Sequence, residues 1–191
     1  MGRASQWSSH MRRQILTGAP GAGKTILLRR LELAGYAVVE EAATDLIALT
    51  VARGVERHWE EPGFIDDIVA LQRRRQLRAD AWPDEVVIFD RSPICTWALC
   101  EFAGRAPPDA LKAEVERIER ESTYERRVFF VELFGSITPT EARRITLEES
   151  TRFAAIHADV YRRFGYELIS VAPGDVEARF EAVRAELART A

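Results

Sequence analysis

The chain has 191 residues, 47% of them apolar, and a formal net charge of −3. That length suits one domain, or one domain with a small insert, and leaves ample material for a packed core. The charge balance gives no global drive toward nucleic acid or an anionic membrane, and no apolar run approaches the ~18 residues needed to cross a bilayer, so neither partner is expected.

In chain order, residues 1–10 lack the apolar region of a secretory signal. His10-Met11 directly before a strand reads as a cloning scar. Residues 1–10 are therefore set aside as a tag remnant or disordered stretch, and 11–191 are expected to form a single domain. "RRQILTG" (12–18) predicts a strand, and "KTILLRRLELAG" (24–35), with leucines at helical spacing and a closing glycine, a helix. A second strand is expected over 36–42 and a helix over 44–54 capped by Thr44 or Asp45. Residues 63–82 read as helical, so the interval 43–84 is expected to be a helical cover over one side of a site. "EVVIFD" (85–90) is a continuous apolar run ending in a charge, the mark of a buried parallel strand whose end reaches solvent. Helices follow over 92–103 and 109–122, a strand over 127–133, a loop over 134–144, a helix over 147–165, a strand over 166–171 and a closing helix over 175–189. Strands alternating with helices predict an α/β fold: a five-stranded parallel sheet with helices on both faces. No internal repeat or linker interrupts it.

Cys95 and Cys100 are the only cysteines. Two cysteines five residues apart make neither a disulfide framework nor a zinc site, so a reduced, cytoplasmic protein is expected. His10 and His157 are isolated, and no His/Cys/acid cluster has metal-ligand spacing.

The stretch with specific chemistry is "GAPGAGKT": Gly18, Ala19, Pro20, Gly21, Ala22, Gly23, Lys24 and Thr25. It fits G-x-x-x-x-G-K-[ST] between a strand and a helix, the P-loop arrangement. Glycines let successive backbone N–H groups curl around an anion, and the helix that follows adds its free N–H groups and positive dipole end. Lys24 is expected to reach the β and γ phosphates of ATP, and Thr25 to place its hydroxyl on Mg²⁺. The chain has only two lysines, Lys24 and Lys112, so the one in the glycine loop is telling. The chain contains no asparagine, so the Asn-Lys-x-Asp guanine reader of GTPases is absent.

After the third strand comes "FDRSP" (89–93). Asp90 is a candidate general base for an acceptor hydroxyl or a ligand of Mg²⁺ through water, with a cap for the next helix as the alternative. Arg91 is a candidate for an acceptor's anionic group or the transferring phosphoryl; the alternative is a surface ion pair. Glu40 and Glu41 end the second strand, where open α/β sheets bind ligands, and either suits ribose hydroxyls; an ordinary solvated strand end is the alternative. Arg143 and Arg144 follow the loop after strand four and suit a mobile lid that adds charge to a leaving γ-phosphate, or a solvated helix start. The run Arg73, Arg74 and Arg75 with Arg78 points in several directions, so a solvated face is expected, and Trp59 reads as a core or rim aromatic.

The organisation resembles the P-loop small-molecule kinases, the nucleoside and nucleotide kinases. More closely it is similar to the AAA-domain family of predicted ATPase/kinases that resemble ribosylnicotinamide kinase. The likeness runs from Met11 through "LTGAPGAGKTILLRRLELAGYAVVEEAA", "VIFDR" and "EARRITLEES…VYRRFGYELISVAPGDVEARFEAV". It departs at Ser92 and Cys95, where the family carries a glycine and an acid, and at Thr44, where the family carries an arginine. The resemblance implies ATP and Mg²⁺ as cofactors, Lys24, Asp90, Arg91, Arg143 and Arg144 in catalysis, and a nucleoside- or nucleotide-like small-molecule acceptor. The rival expectation is an ATP-binding regulatory module without an acceptor.

Overall fold

Successive side chains along a strand point to opposite faces of the sheet, and in the strands over 12–17, 86–90 and 127–131 consecutive residues are buried, so both faces are covered. The computed structural model describes residues 11–55, 61, 63–134 and 146–189. The chain runs β1 (Arg12–Thr17), α1 (Lys24–Leu33), β2 (Ala37–Val39), α2 (Ala42–Ala52), α3 (Phe64–Ala79), β3 (Val86–Asp90), α4 (Pro93–Phe102), α5 (Asp109–Arg120), β4 (Arg127–Val131), α6 (Leu147–Arg163), β5 (Glu167–Val171) and α7 (Val176–Arg189). The strands form one parallel sheet in the order β2-β3-β1-β4-β5.

Leu16, Ile88, Phe129 and Val131 face α1 and α7, meeting Leu27, Leu28, Leu31, Phe180, Val183 and Leu187. Their neighbours Ile15, Val87, Phe89 and Val128 face the other way, into Val69, Ile94, Leu111, Val115, Ile118 and Tyr161 of α3 to α6. Both faces are thus covered, as parallel sheets require. With β1 between β3 and β4, the end of β1 lies beside the ends of both neighbours, and Leu16 is paired in register with Asp90.

The second strand is shorter than its sequence suggests. It covers Ala37–Val39, and the chain turns into α2 at Ala42 with Glu41 as the capping residue. Ala42 and Ala43 are strong helix formers and poor strand formers, so the helix claims them. Thr44 and Asp45, expected as caps, lie inside the first turn, and the Thr44 hydroxyl donates back to the Glu41 carboxylate at 2.8 Å. Trp59, His10, Arg143 and Arg144 lie outside the described residues. Among the described residues, no helix is long and apolar enough to cross a membrane.

Candidate functional site

The glycine loop leaves β1 under tight constraint. Gly18 has φ 136°, and a Cβ there would meet the Val131 carbonyl oxygen at 2.3 Å, so the loop passes directly against the end of β4. Gly23 has φ 84° and serves as the N-cap of α1, where no side chain caps the helix and no acid stands in its first turn. By contrast, α6 begins with a complete capping box from Thr146 and Glu149. The start of α1 therefore keeps its N–H groups and positive dipole end for an external anion. Lys24 is buried and donates to the Ala19 carbonyl at 2.8 Å. Burial, then the Arg91 charge, lowers the Lys24 amine to about 7, against the pull of Asp90 and Glu41. Thr25 is exposed beside it.

The end of β3 supplies the second half. The Arg91 backbone N–H bonds the Leu16 carbonyl at 3.0 Å, and Arg91 itself sits at φ 74°, a left-handed conformation that costs a non-glycine residue energy. This turn buries the Asp90 carboxylate, whose Oδ1 has no hydrogen-bond partner among the described residues. Burial, then the Glu41 charge, raises Asp90 to about 6 even though Arg91 and Lys24 pull it down. Asp90 is no helix cap: Ser92 is the N-cap of α4, with Pro93 in the first turn.

Arg91 is held from two sides. Its Nε pairs with the Glu41 carboxylate, and its Nη1 lies 3.3 Å from Nε2 of His157 on α6. Nδ1 of that histidine lies 3.0 Å from the Phe153 carbonyl. A carbonyl only accepts, so Nδ1 carries the proton and Nε2 accepts from Arg91. Burial, then the Arg91 charge, keeps His157 well below its ordinary value and hence neutral. Burial alone would raise Glu41, but Arg91 and Lys24 hold it below the usual carboxylate value.

Behind this group lies a neutral polar chain. The Ser92 hydroxyl shares a hydrogen bond with the Tyr161 hydroxyl at 2.8 Å, and the Cys95 thiol lies 3.0 Å from both Tyr161 and the Thr17 hydroxyl. Glu40 turns away to pair with Arg29. Of the arginine run on α3, Arg75 donates to the Glu40 carbonyl at 2.8 Å and pairs with Asp45, while Arg73 stands 3.7 Å from Glu114. A narrow cleft of about 10 Å³ opens between Glu40, Gln72, Arg75, Asp90, Arg91 and Tyr124.

Two contributors carried no motif in the sequence. His157 stands on the buried face of α6 with Phe153, Val160 and Tyr161, where its spacing looks like core. Arg179 of α7 is buried, and its guanidinium donates to the carbonyls of Ala22 at 2.5 Å, Ala172 at 3.1 Å and Glu132 at 3.1 Å, with the Phe134 ring 4.1 Å away. It ties the glycine loop to the ends of β4 and β5 and sets a positive charge beneath the loop.

Among the described residues, no three His, Cys, Asp or Glu side chains gather as a metal site. The glycine cradle, uncapped helix and buried lysine fit a polyphosphate. A magnesium ion would draw its remaining ligands from that polyphosphate and from Thr25 and Asp90.

In fold, the chain is similar to deoxyadenosine kinase from M. mycoides, solved with product dCMP and a flexible dCDP, at 13% identity and a TM-score of 0.66, covering 93% of this chain and 99% of that one. It is similar to NadR protein, solved with NAD and AMP-PNP, at 18% identity and a TM-score of 0.65, covering 94% of this chain and 49% of that one. Thymidylate kinase from Candida albicans matches at 9% identity and a TM-score of 0.63, covering 94% and 92%. No curated protein matches the sequence. The family described as an AAA domain matches residues 13–179, from the central strand to the arginine beneath the loop, and the chain belongs to that family, on the fold of the P-loop nucleoside and nucleotide kinases.

Proposed function

We propose that residues 11–191 form a single-domain phosphotransferase that uses Mg-ATP, in the cytoplasm, to phosphorylate a nucleoside- or nucleotide-like small molecule. The observation that carries this reading is the meeting of an uncapped helix start and a buried lysine with a buried carboxylate whose Oδ1 has no partner among the described residues. A loop that only bound nucleotide would need the first two and not the third. When bound, Mg-ATP supplies the transferable phosphoryl group and the metal charge that screens it.

The roles of the chain's residues follow from their chemistry. The loop backbone and Lys24 bind the polyphosphate, and Thr25 holds the metal. Asp90 orients the acceptor and takes its proton, with Arg91 fixed beside it. Arg143 and Arg144 add positive charge from the lid. The ligands of the fold relatives agree with this assignment: NadR protein was solved with AMP-PNP, and deoxyadenosine kinase with dATP.

Calorimetry of Mg-ATP binding tests the reading. Lys24→Ala is expected to lose about 1.5–3 kcal/mol of affinity, the worth of hydrogen bonds to a charged group. Equal affinity in variant and parent would overturn it.

A further inference from the structure

The turn that carries Asp90 and Arg91 is held in a costly backbone conformation, and two of its restraints come from one face of α6. We infer that the Tyr161 hydroxyl is a positioning group for phosphoryl transfer: through Ser92 on one side, and through Cys95 and Thr17 on the other, it fixes where that turn stands relative to the phosphate loop. The inference rests on the phosphotransferase reading above and deepens it.

Three observations carry it. The first is connectivity. Thr17 ends β1 and directly precedes the glycine loop, and Ser92 directly follows Arg91. Tyr161 joins them. Its hydroxyl stands 2.8 Å from the Ser92 hydroxyl and 3.0 Å from the Cys95 thiol, which in turn stands 3.0 Å from the Thr17 hydroxyl. All four side chains are buried, so bulk solvent does not compete for these bonds and each holds its neighbours in place.

The second is how Ser92 spends its hydroxyl. It is the N-cap of α4, where a serine oxygen ordinarily accepts from a free N–H of the first turn. Here that side chain makes no capping bond. The Cys95 N–H bonds the Ser92 carbonyl at 2.9 Å, and the Ser92 hydroxyl reaches across to α6. A capping serine would serve α4 better, so the bond to Tyr161 stabilises the placement of the turn and not the helix that follows it.

The third is strain. Arg91 has φ 74°, and a non-glycine residue persists there only where its surroundings over-determine it. The backbone gives one restraint, from the Arg91 N–H to the Leu16 carbonyl at 3.0 Å. Helix α6 gives two more. His157 and Tyr161 stand one helical turn apart on its buried face and hold the side chains of the consecutive residues Arg91 and Ser92. The Tyr161 ring is packed edge-on against Tyr166 at 5.5 Å, so its hydroxyl starts from a fixed place. Without that hydroxyl the turn is expected to drift from the loop, while the loop keeps its own brace in Arg179. A shift of about 1 Å in a reacting group costs on the order of a hundredfold in rate.

The test separates turnover from binding in the whole chain. Tyr161→Phe keeps the ring and its packing and removes only the hydroxyl. Basal release of phosphate is followed against Mg-ATP concentration, and affinity for magnesium with AMP-PNP, a non-hydrolysable ATP analogue, is measured by calorimetry. Tyr161→Phe is expected to lower kcat about tenfold or more, with KM and AMP-PNP affinity within about twofold of the parent. Parental kcat in the folded variant, or a loss of affinity as large as the loss in kcat, would overturn the inference. Ser92→Ala gives the second arm, because it removes the other end of the same bond by deleting one buried oxygen. It is expected to lower kcat at kept affinity, and the double variant to fall within about threefold of Tyr161→Phe alone. Single losses that multiply in the double variant would overturn the inference, since the two hydroxyls would then act separately. If Tyr161→Phe does not fold, Ser92→Ala decides alone, and parental kcat there would overturn it. A parent that fails to bind AMP-PNP, or to release phosphate from Mg-ATP, would instead remove the phosphotransferase reading beneath it.

Discussion

Asp90 keeps a charge in a place where folding works against it. Its ionisation moves from 3.8 to about 6, first through burial and then through Glu41. A carboxylate raised in the folded state destabilises that state once it must ionise: the penalty is absent below pH about 4 and complete above about 6. Asp90→Asn keeps the shape and removes the charge. It is expected to raise stability by about 2–3 kcal/mol at pH 7 and to change it little at pH 4, measured by denaturant unfolding at the two pH values. The same substitution is expected to lower phosphoryl transfer, or basal ATP hydrolysis, by about 10²–10⁴-fold with nucleotide affinity nearly kept. A variant with parental turnover would remove Asp90 as the base. In the parent, turnover should rise with pH through about 6 as the carboxylate ionises.

The elements were legible in the sequence where local pattern and tertiary demand agreed. The strand, glycine loop and helix over 12–35 carry a motif, a hydrophobic period and a stop signal that all point one way, and β1, the loop and α1 follow. The second strand was overdrawn because Glu40 to Ala43 decide between strand and helix only through packing and helix propensity. On the site, Lys24, Asp90, Arg91 and Glu41 were legible as motif positions. That Arg91 is already paired was not, because its partner His157 is 66 positions away and carries no local signature. Arg179 was hidden for the same reason: its three partners are backbone carbonyls, which have no sequence identity. It nevertheless fastens α7 to the loop. Arg179→Met, which keeps much of the side-chain length and loses the three hydrogen bonds, is expected to cost about 3 kcal/mol in urea unfolding and to weaken ATP binding as the loop loosens. Arg184→Met, on the outer side of α7 where Arg184 pairs with Glu181 in solvent, is the control, expected to stay within about 1 kcal/mol. Equal losses in the two variants would mean that the buried guanidinium contributes no more than a surface one.

For the molecule as a whole, strand order joins the site to the core. β1 lies between β3 and β4, so the loop that leaves it is braced by Val131 on one side and by the Arg91–Leu16 hydrogen bond on the other. A ligand in that crevice touches both faces of the sheet through α1 and α3, and its binding energy adds to the stability of the entire fold. Mg-ATP at a hundredfold excess over its Kd adds about 2.7 kcal/mol, which for a chain of this size raises Tm by roughly 5–10 °C. The increment should depend on pH through Lys24. In the ligand-free protein its amine ionises at about 7, while polyphosphate charge beside it favours the protonated form. Above pH 7 the complex must therefore take up a proton that the free protein lacks, and affinity falls as pH rises. At pH 8.5 the loss relative to pH 6.5 is about 2 kcal/mol, most of the stabilisation at a fixed ligand concentration. Thermal unfolding with and without Mg-ATP is expected to give a large Tm increase at pH 6.5 and a small one at pH 8.5, with proton uptake visible as a buffer-dependent binding enthalpy at the higher pH. Lys24→Met, which has nothing to titrate, should show a smaller increase that no longer changes between the two. A parental protein stabilised equally at both pH values would mean that Lys24 is charged before nucleotide arrives, and that its burial against Ala19 does not hold it near neutrality.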